Sequence, residues 1–182
     1  MRQDGQATVV VVMGVSGSGK TTVAMRLAQA LGWDFLEGDS LHPPANIAKM
    51  SAGHPLDDDD RWPWLDAIAD WMAQRLRDGR SGVVACSALR RVYRDRLRQA
   101  GSGVRFAYLH VARDELARRM RERQHFMPPS LLDSQLATLE VPGADEGALR
   151  VDDEHGPDAA VAAIVDWAGQ GVPAPRDAAA GE

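Results

Sequence analysis

Short apolar runs alternate with stretches of helical periodicity along most of the chain. The first run, residues 8–13, is rich in β-branched side chains and ends at Gly14, which predicts a buried strand. Apolar residues then recur every four positions as far as Gly32, which predicts a helix that begins near Lys20. The same alternation continues to about residue 170. Further strands are predicted at residues 34–37, 83–86, 104–111 and 149–151.

Helices are predicted between these strands. The clearest apolar stripe covers residues 65–76, with Pro63 near its start and Gly79 after its end. The other predicted helices are marked by Pro43 and Pro44 with Ile47 and Met50, by Tyr93 and Leu97, by Leu116 and Met120, and by Val161, Ile164, Val165 and Trp167. Regular alternation of strand and helix predicts an α/β fold of three layers, a parallel sheet with helices on both faces. We expect one domain over residues 1–170 and a loose tail over residues 171–182.

The composition restricts the class of protein. A length of 182 residues fits one domain, and a 45% apolar share is ordinary for a globular fold. The sequence has one cysteine, Cys86, so a scaffold held by internal disulfides is excluded. No apolar run is long enough to cross a bilayer, so we expect a cytoplasmic protein that does not associate with membranes. Trp62, Trp64 and Trp71 are expected to pack in the core or at a dimer interface.

Charge is unevenly distributed along the chain. The net charge is −5, yet residues 87–125 contain eleven arginines, no lysine and four acidic residues, a local charge of +7. The planar fork of arginine binds phosphate oxygens in pairs. Nucleic-acid binding usually needs a basic footprint over the whole domain with aromatic residues interleaved. Because aromatic residues make up 5% of the chain, a compact polyanion such as a nucleoside triphosphate is favoured and no nucleic-acid partner is expected.

The residues between the first predicted strand and helix form a phosphate-binding loop. Residues 14–21 fit the pattern Gly-x4-Gly-Lys-[Ser/Thr]. The glycines let backbone amides approach phosphate oxygens, and the following helix adds the positive end of its dipole. Lys20 is predicted to reach the β- and γ-phosphates, and the Thr21 hydroxyl to ligate Mg²⁺. The candidate nucleotide-binding residues are Gly14, Val15, Ser16, Gly17, Ser18, Gly19, Lys20, Thr21 and Thr22.

Asp39 follows the second predicted strand. The second strand is expected to run parallel beside the first, which would bring its carboxyl end and Asp39 near the phosphate loop, where ligands of such sheets bind. Its carboxylate can accept a proton from a substrate hydroxyl or order water on Mg²⁺, and the sequence leaves both roles open. The third predicted strand ends at Cys86 and Ser87 without an acidic residue, which adds weight to the metal role.

Several further segments, in collinear order, resemble the P-loop gluconate kinases (gluconokinases). They are residues 38–43 (Gly-Asp-Ser-Leu-His-Pro), 46–50 (Asn-Ile-Ala-Lys-Met), 53–61 with Trp64 and Leu65, 86–90 with residues 93–95, and 125–127 with Gln135 and residues 138–140. The resemblance runs from about residue 9 to residue 152. It implies ATP- and Mg²⁺-dependent phosphorylation of D-gluconate at the 6-hydroxyl, a fold like that of nucleoside monophosphate kinases with a small mobile lid at about residues 118–135, and a homodimer.

An acyclic sugar acid needs hydrogen-bonding groups and a cation in its site. His42, Asn46 and Lys49 are three or four positions apart and would share one face of a helix. Arg61 can pair with a carboxylate bidentately, and one member of the aspartate run 57–60 is expected to hold it in place. With the residues that the resemblance adds, the candidate acceptor-binding set is Asp39, His42, Asn46, Lys49, Arg61, Arg90 and Gln135.

Four arginines, at positions 118, 119, 121 and 123, lie at the start of the segment that forms the mobile lid in the resembling family. A cation that reaches the γ-phosphate stabilises charge in the transition state and helps to exclude water. Arg119 and Arg123 are one helical turn apart, and with Lys20 and Asp39 they are the candidate catalytic residues. Gln124 stands where the family commonly has glycine, which favours a shorter and stiffer lid.

Two other functions remain open on the residues alone. One is a kinase for a different small hydroxy acid such as shikimate, because Asp39, His42 and Arg61 do not decide the acceptor; the extended resemblance favours gluconate. The other is an ATP-binding module without catalysis. The presence of Lys20, Thr21 and Asp39 argues against that second alternative.

Overall fold

The computed structural model describes residues 5–122 and 130–170. The strands are β1 (Val9–Met13), β2 (Asp34–Glu37), β3 (Gly82–Ala85), β4 (Val104–His110) and β5 (Leu149–Asp152). The helices are α1 (Lys20–Leu31), α2 (Pro44–Ser51), α3 (Asp58–Arg77), α4 (Arg91–Arg98), α5 (Arg113–Glu122), α6 (Ser130–Thr138) and α7 (Gly156–Gly169), and 3-10 turns cover Gly38–Leu41 and Ala144–Glu146. The strands form one parallel sheet in the order β2-β3-β1-β4-β5. β3 therefore separates β2 from β1, and the expectation that these two strands are neighbours is wrong.

Alternate side chains of the central strand enter two different cores. Val9, Val11 and Met13 pack with α3 and α4 on one face of the sheet. Val10 and Val12 pack with α1 and α7 on the other face. Successive residues of a strand point to opposite faces, so a strand covered on both sides must be apolar throughout, and all five residues are buried. The predicted three-layer α/β fold is confirmed.

Most predicted boundaries are close to the observed ones, but α3 begins at Asp58, so Pro63, which the sequence predicts near its start, lies inside the helix. Gly82 accounts for another difference. β3 begins at Gly82, which pairs with Val9 in the sheet, whereas the sequence predicts a strand over residues 83–86. A Cβ atom on Gly82 would lie 2.9 Å from the Trp71 ring. The absence of a side chain at Gly82 therefore leaves room for Trp71 of α3 to pack against the strand. The glycine therefore belongs to the strand although its type is typical of a turn.

Helix α6 is the one helix of the described ranges that the apolar pattern does not predict. Its apolar side chains Leu132 and Leu136 pack in one cluster with Leu116 of α5 and Val15 of the phosphate loop. The predicted tail, residues 171–182, lies outside the described residues. Among residues 5–122 and 130–170, none of the helices has both the length and the apolar character to cross a membrane.

Candidate active site

The loop between β1 and α1 is built from residue types that its backbone requires. Gly14 has φ +152°, and a Cβ atom there would lie 2.9 Å from the carbonyl oxygen of Leu109. Gly19, the residue before α1, is left-handed with φ +90°. The buried Ser18 hydroxyl donates to the Val15 carbonyl at 2.7 Å and holds the turn. The result is a tight turn directly before the amino end of α1, an arrangement that binds anions.

Lys20 crosses this loop. Its ammonium donates to the Val15 carbonyl at 2.9 Å and its side chain lines the adjacent cleft. Burial lowers the pKa of Lys20, while the nearby carboxylates of Asp39 and Glu37 act in the opposite direction. The lysine is therefore a partly desolvated cation at the phosphate loop, close to acidic groups.

Glu37, the last residue of β2, is a site residue that the sequence does not predict. Its carboxylate accepts hydrogen bonds from the Thr21 hydroxyl and from the backbone N–H of Asp39, the latter at 3.3 Å. It thus joins the start of α1 to the 3-10 turn that carries Asp39. The signal for Glu37 is its place at the carboxyl end of a strand beside the phosphate loop.

A cleft of about 200 Å³ brings many of the predicted residues together. Lys20, Asp39, His42, Arg61 and Gln135 all line it, together with apolar side chains from α2, α3 and α6. Polar groups of different charge therefore converge in a largely apolar pocket directly beside the phosphate loop, as expected of a small-molecule site.

The His42 ring is held in one tautomer. The Asn46 side-chain nitrogen lies 3.2 Å from His42 Nδ1 and donates to the Asp60 carbonyl at 2.9 Å. A carbonyl oxygen only accepts, so the Asn46 NH₂ group faces both partners and His42 Nδ1 must accept. The ring proton is then on Nε2, which lies 3.8 Å from Asp39 Oδ1. Asn46, a predicted substrate ligand, is 3% exposed and lies behind His42.

Trp64 shapes the same corner of the cleft. Its indole N–H donates to the Gly38 carbonyl at 2.7 Å, and its ring stacks on His42 with the centroids 4.1 Å apart. Burial lowers the pKa of His42, Asp39 opposes this and Arg61 adds to it, so the neutral ring is favoured. The expectation that Trp64 packs in the core is met, since it is 2% exposed, but the residue also lines the cleft.

Besides Asn46, two further predicted acceptor ligands, Lys49 and Arg90, do not line the cleft. The Lys49 ammonium bonds to Asp60 at 2.6 Å and lies 3.7 Å from Asp57. These two aspartates form the capping box of α3, each accepting from the backbone N–H of the other. Arg90 bonds to Asp58 at 2.7 Å, outside the cleft. His42 precedes α2, so it does not share a helical face with Lys49.

Arg61 is held by a tyrosine. One guanidinium N–H donates to the Tyr93 hydroxyl at 2.8 Å, and the guanidinium carbon lies 5.2 Å from the centre of the Tyr93 ring. The Tyr93 hydroxyl in turn donates to Asp58. The predicted aspartate partner of Arg61 thus acts through Tyr93 instead of bonding to Arg61 directly.

Gln135 connects α6 to the phosphate loop. Its side-chain oxygen accepts from the backbone N–H of Ser16 at 2.7 Å, and both residues line the cleft. Gln135 is the last residue of the segment predicted as the lid, so the carboxyl end of that segment contacts the phosphate loop directly.

A second cavity, of about 310 Å³, lies at the start of α1 on the side of α5 and α7. Thr22 and Arg119 line it, and neither lines the acceptor cleft. Arg119 donates to the Gly17 carbonyl at 3.2 Å and pairs with Asp153. The structure thus places Arg119 beside the phosphate loop but away from Asp39 and His42. Arg123, the other predicted lid cation, lies outside the described residues.

Comparisons with known proteins agree on the family. A family model described as an AAA domain matches residues 9–142. The chain is 53% identical over 157 residues to the gluconokinase of Gluconobacter oxydans (strain 621H), an alignment that covers 86% of this chain and 88% of that relative. It is 45% identical over 139 residues to the thermoresistant gluconokinase of Escherichia coli (strain K12), with coverage of 76% and 79%. The chain belongs to the gluconokinase family.

Solved structures of gluconokinases and sugar kinases share the fold. A gluconokinase from Sinorhizobium meliloti 1021 has a TM-score of 0.81 and 47% identity, with 91% of this chain and 95% of that chain covered. A sugar kinase from Janibacter sp. HTCC2649 has a TM-score of 0.85 and 47% identity, with coverage of 88% and 94%. The resemblance to gluconokinases inferred from the sequence is confirmed, and so is the P-loop kinase fold.

Proposed function

We propose that this chain transfers the γ-phosphoryl group of ATP to the 6-hydroxyl of D-gluconate and releases 6-phospho-D-gluconate and ADP. The observation that supports this most strongly is that one cleft is lined by the phosphate-loop lysine Lys20, the carboxylate Asp39 and the cation Arg61. A phosphoryl acceptor that carries both a hydroxyl and a carboxylate fits this set. The relatives reported above are gluconokinases, which favours gluconate over shikimate as the acceptor.

The nucleotide is assigned to the phosphate loop and the second cavity. The loop amides and the amino end of α1 bind the phosphates, and Lys20 neutralises charge on the β- and γ-phosphates. The nucleoside enters the cavity lined by Thr22 and Arg119. Arg119, held by Asp153, then acts at the nucleotide side, and Arg123 remains a candidate for the cation over the γ-phosphate.

The groups around Thr21 suit Mg²⁺. The Thr21 hydroxyl contacts the Glu37 carboxylate, and hard oxygen donors of this kind bind Mg²⁺ together with substrate phosphates. Within residues 5–122 and 130–170, no group of three or more His, Cys, Asp or Glu side chains is arranged to hold a metal by itself. The phosphates of the substrate would therefore supply further ligands. Bound there, Mg²⁺ would neutralise charge on the transferring phosphoryl group. Glu37, which contacts Thr21, then provides the carboxylate on the metal side. Asp39 is left to act as the base.

The acceptor lies across the cleft. Arg61 pairs with its carboxylate, and the His42 Nε2–H donates to oxygens beside Asp39. Asp39 accepts the proton of the 6-hydroxyl while that oxygen bonds to the γ-phosphorus. The bond from the γ-phosphorus to the oxygen that bridges to the β-phosphate breaks, and ADP leaves. The apolar lining from α2, α3 and α6 limits access of water, which would otherwise compete as acceptor.

The proposal includes a homodimer, which the sequence resemblance implies, and a cytoplasmic location, which the single cysteine and the absence of a long apolar run in the sequence favour. Analytical ultracentrifugation measures the mass of the assembly. A species of one chain at the concentration used for turnover would exclude the dimer as the working form.

An ADP-release assay over a panel of acceptors tests the function. With ATP and Mg²⁺, we expect turnover with gluconate and a kcat/KM at least 100-fold lower with shikimate and with neutral sugars. A folded protein that releases no ADP with gluconate would contradict the proposal.

Lys20→Ala tests the phosphate role. We expect kcat to fall by about 100-fold or more, because one preorganised cation at the developing charge contributes this much, while circular dichroism stays unchanged. Lys49→Ala removes the other lysine of the chain, whose ammonium is paired with Asp60, and we expect at most a few-fold change in kcat. Equal losses in the two variants would argue against the assigned role of Lys20.

A further inference from the structure

Arg61, Tyr93 and Asp58 form a chain of hydrogen bonds behind the acceptor cleft. Arg61 and Asp58 lie in the first turns of α3, and Tyr93 lies in the first turn of α4. We propose that Tyr93 and Asp58 are positioning residues that fix the Arg61 guanidinium for the carboxylate of the acceptor and keep its charge available. This inference rests on the proposed function, because it concerns recognition of an acidic acceptor.

The direction of each hydrogen bond in the chain is determined by the groups themselves. A guanidinium only donates, so the Tyr93 oxygen accepts from Arg61 at 2.8 Å. An ionised carboxylate only accepts, so the Tyr93 hydroxyl hydrogen goes to Asp58. The hydrogen bond from Tyr93 is the largest of the influences that lower the pKa of Asp58. The phenol therefore links a cation and an anion that do not bond to each other.

The Tyr93 ring cannot easily move away. It is 1% exposed, and Trp62 packs edge-on against it with the ring centres 5.8 Å apart. A rigid ring presents its hydroxyl at a fixed point, so the guanidinium bonded to that hydroxyl loses rotational freedom before any acceptor binds. Binding of an anion then needs less ordering of the Arg61 side chain.

Arg90 is bound by the same aspartate, and for this reason its side chain does not enter the cleft. It bonds to the second oxygen of Asp58 at 2.7 Å, so both oxygens of that carboxylate are occupied, one by Arg90 and one by Tyr93. Among the residues that the structure describes, no carboxylate lies within ion-pair distance of Arg61. The positive charge of Arg61 is therefore oriented by a neutral hydroxyl and is not cancelled by a neighbouring aspartate.

Tyr93→Phe removes the hydroxyl and keeps the buried ring. Arg61 then loses its fixed acceptor, and Asp58 loses a donor and can attract Arg61 away from the cleft. We expect the KM for gluconate to rise about tenfold, kcat to change by less than about twofold, and the KM for ATP to stay the same. Tyr108→Phe is the matched control, because Tyr108 is a tyrosine of β4 that is buried in the same core and does not line the cleft.

A double-mutant cycle separates positioning from a general loss of packing. In the Arg61→Ala background, Tyr93→Phe is expected to cause no further rise in the KM for gluconate, since its effect passes through Arg61. An equal rise in both backgrounds, or an equal rise in the KM for ATP, would overturn the inference. Asp58→Asn keeps an acceptor for the tyrosine hydroxyl; it should raise the KM less than Tyr93→Phe does, and it serves if that variant does not fold.

The two proposals fail in different ways. Absence of gluconate turnover in the unaltered protein contradicts the proposed function alone. Normal turnover combined with an unchanged KM in Tyr93→Phe contradicts the positioning role alone. A crystal structure of Tyr93→Phe provides a readout that does not depend on the acceptor. We expect Arg61 to turn towards Asp58 there, and an unmoved guanidinium would count against the inference.

Discussion

Asn46 does not line the acceptor cleft, yet it determines the tautomer of His42, which does. Its two N–H donors bond to the Asp60 carbonyl and to His42 Nδ1, so the His42 proton is placed on Nε2 and faces Asp39. Such a contact is invisible in a helical wheel, where Asn46 looks like another polar residue on the same face. A buried side chain with all its donors used is better understood as a support for the site than as a ligand.

Asn46→Asp reverses the hydrogen bond to His42. A carboxylate at this position accepts from Nδ1–H, which favours the other tautomer or the charged ring and raises the pKa of His42. We expect kcat to fall about tenfold, as for loss of one well-placed hydrogen bond, with a smaller change in the KM for ATP.

The ring tautomer is observable independently of turnover. Nitrogen-15 NMR of the His42 ring should show an unprotonated Nδ1 in the unaltered protein and a protonated Nδ1 in Asn46→Asp. Detection of a proton on Nδ1 in the unaltered protein would contradict the assigned tautomer.

The packing of α4 connects the acceptor cleft to the far end of the chain. The completely buried Arg94 bonds bidentately to Glu146, at 2.6 and 2.9 Å, and also donates to the Ala88 carbonyl at 3.0 Å. Ala88 has φ +45°, a left-handed conformation rare for residues other than glycine, and its neighbour Leu89 lines the cleft. Arg94 therefore connects the strained turn at Ala88, in the wall of the cleft, to the 3-10 turn that precedes β5.

Arg94→Met is expected to lower the free energy of unfolding by about 3 kcal/mol, because Glu146 loses a partner while it stays buried. The double variant Arg94→Met with Glu146→Met should recover most of this loss, since neither charge of the buried pair remains and Arg98 keeps its ion pair with Asp95. Arg96→Met is the matched control on the same helix. Its ion pair with Asp66 is about half exposed, so the expected change is below about 1 kcal/mol.

Urea denaturation monitored by circular dichroism measures these differences. A stability of Arg94→Met that equals that of Arg96→Met would show that the buried pair contributes no more than a surface pair.

The protein as a whole depends on acidic groups that stay ionised when it is folded. Burial alone would raise the pKa of Glu146, but hydrogen bonds from Arg94 and Arg98 outweigh this and lower it from 4.5 to about 2. A carboxyl group whose pKa is depressed by folding stabilises the fold above its unfolded pKa. That stabilisation is lost as the pH falls from about 4.5 to about 2.

We therefore expect the free energy of unfolding to decrease between about pH 4.5 and pH 2. Glu146→Gln should flatten this decrease, because the amide does not titrate, and the remaining slope then belongs to the other acidic groups. Denaturation curves at several pH values measure both slopes. The same slope in the variant and the unaltered protein would remove Glu146 as a source of acid sensitivity.

Features that depend on neighbouring residues are readable from the sequence. The phosphate loop is one, because its glycines, lysine and threonine act through backbone geometry within eight residues. Helix α1 is another: it begins at Lys20 and ends before the left-handed Gly32, as its local signals predict. The buried strands are likewise marked by apolar runs, since each residue of a strand covered on both faces must be apolar.

Partnerships between segments that are far apart in the sequence are decided by the tertiary structure. Gln135 reaches the Ser16 amide over 119 positions, Arg61 reaches Tyr93 over 32, and Glu37 reaches Thr21 over 16. The sheet order sets β3 between β1 and β2 and brings their carboxyl ends to one edge, which no local pattern specifies. The sequence of short segments therefore determines which kinds of chemical group are available for the reaction. Which of them face the acceptor, and which only hold their neighbours, depends on distances that arise when the helices pack on the sheet.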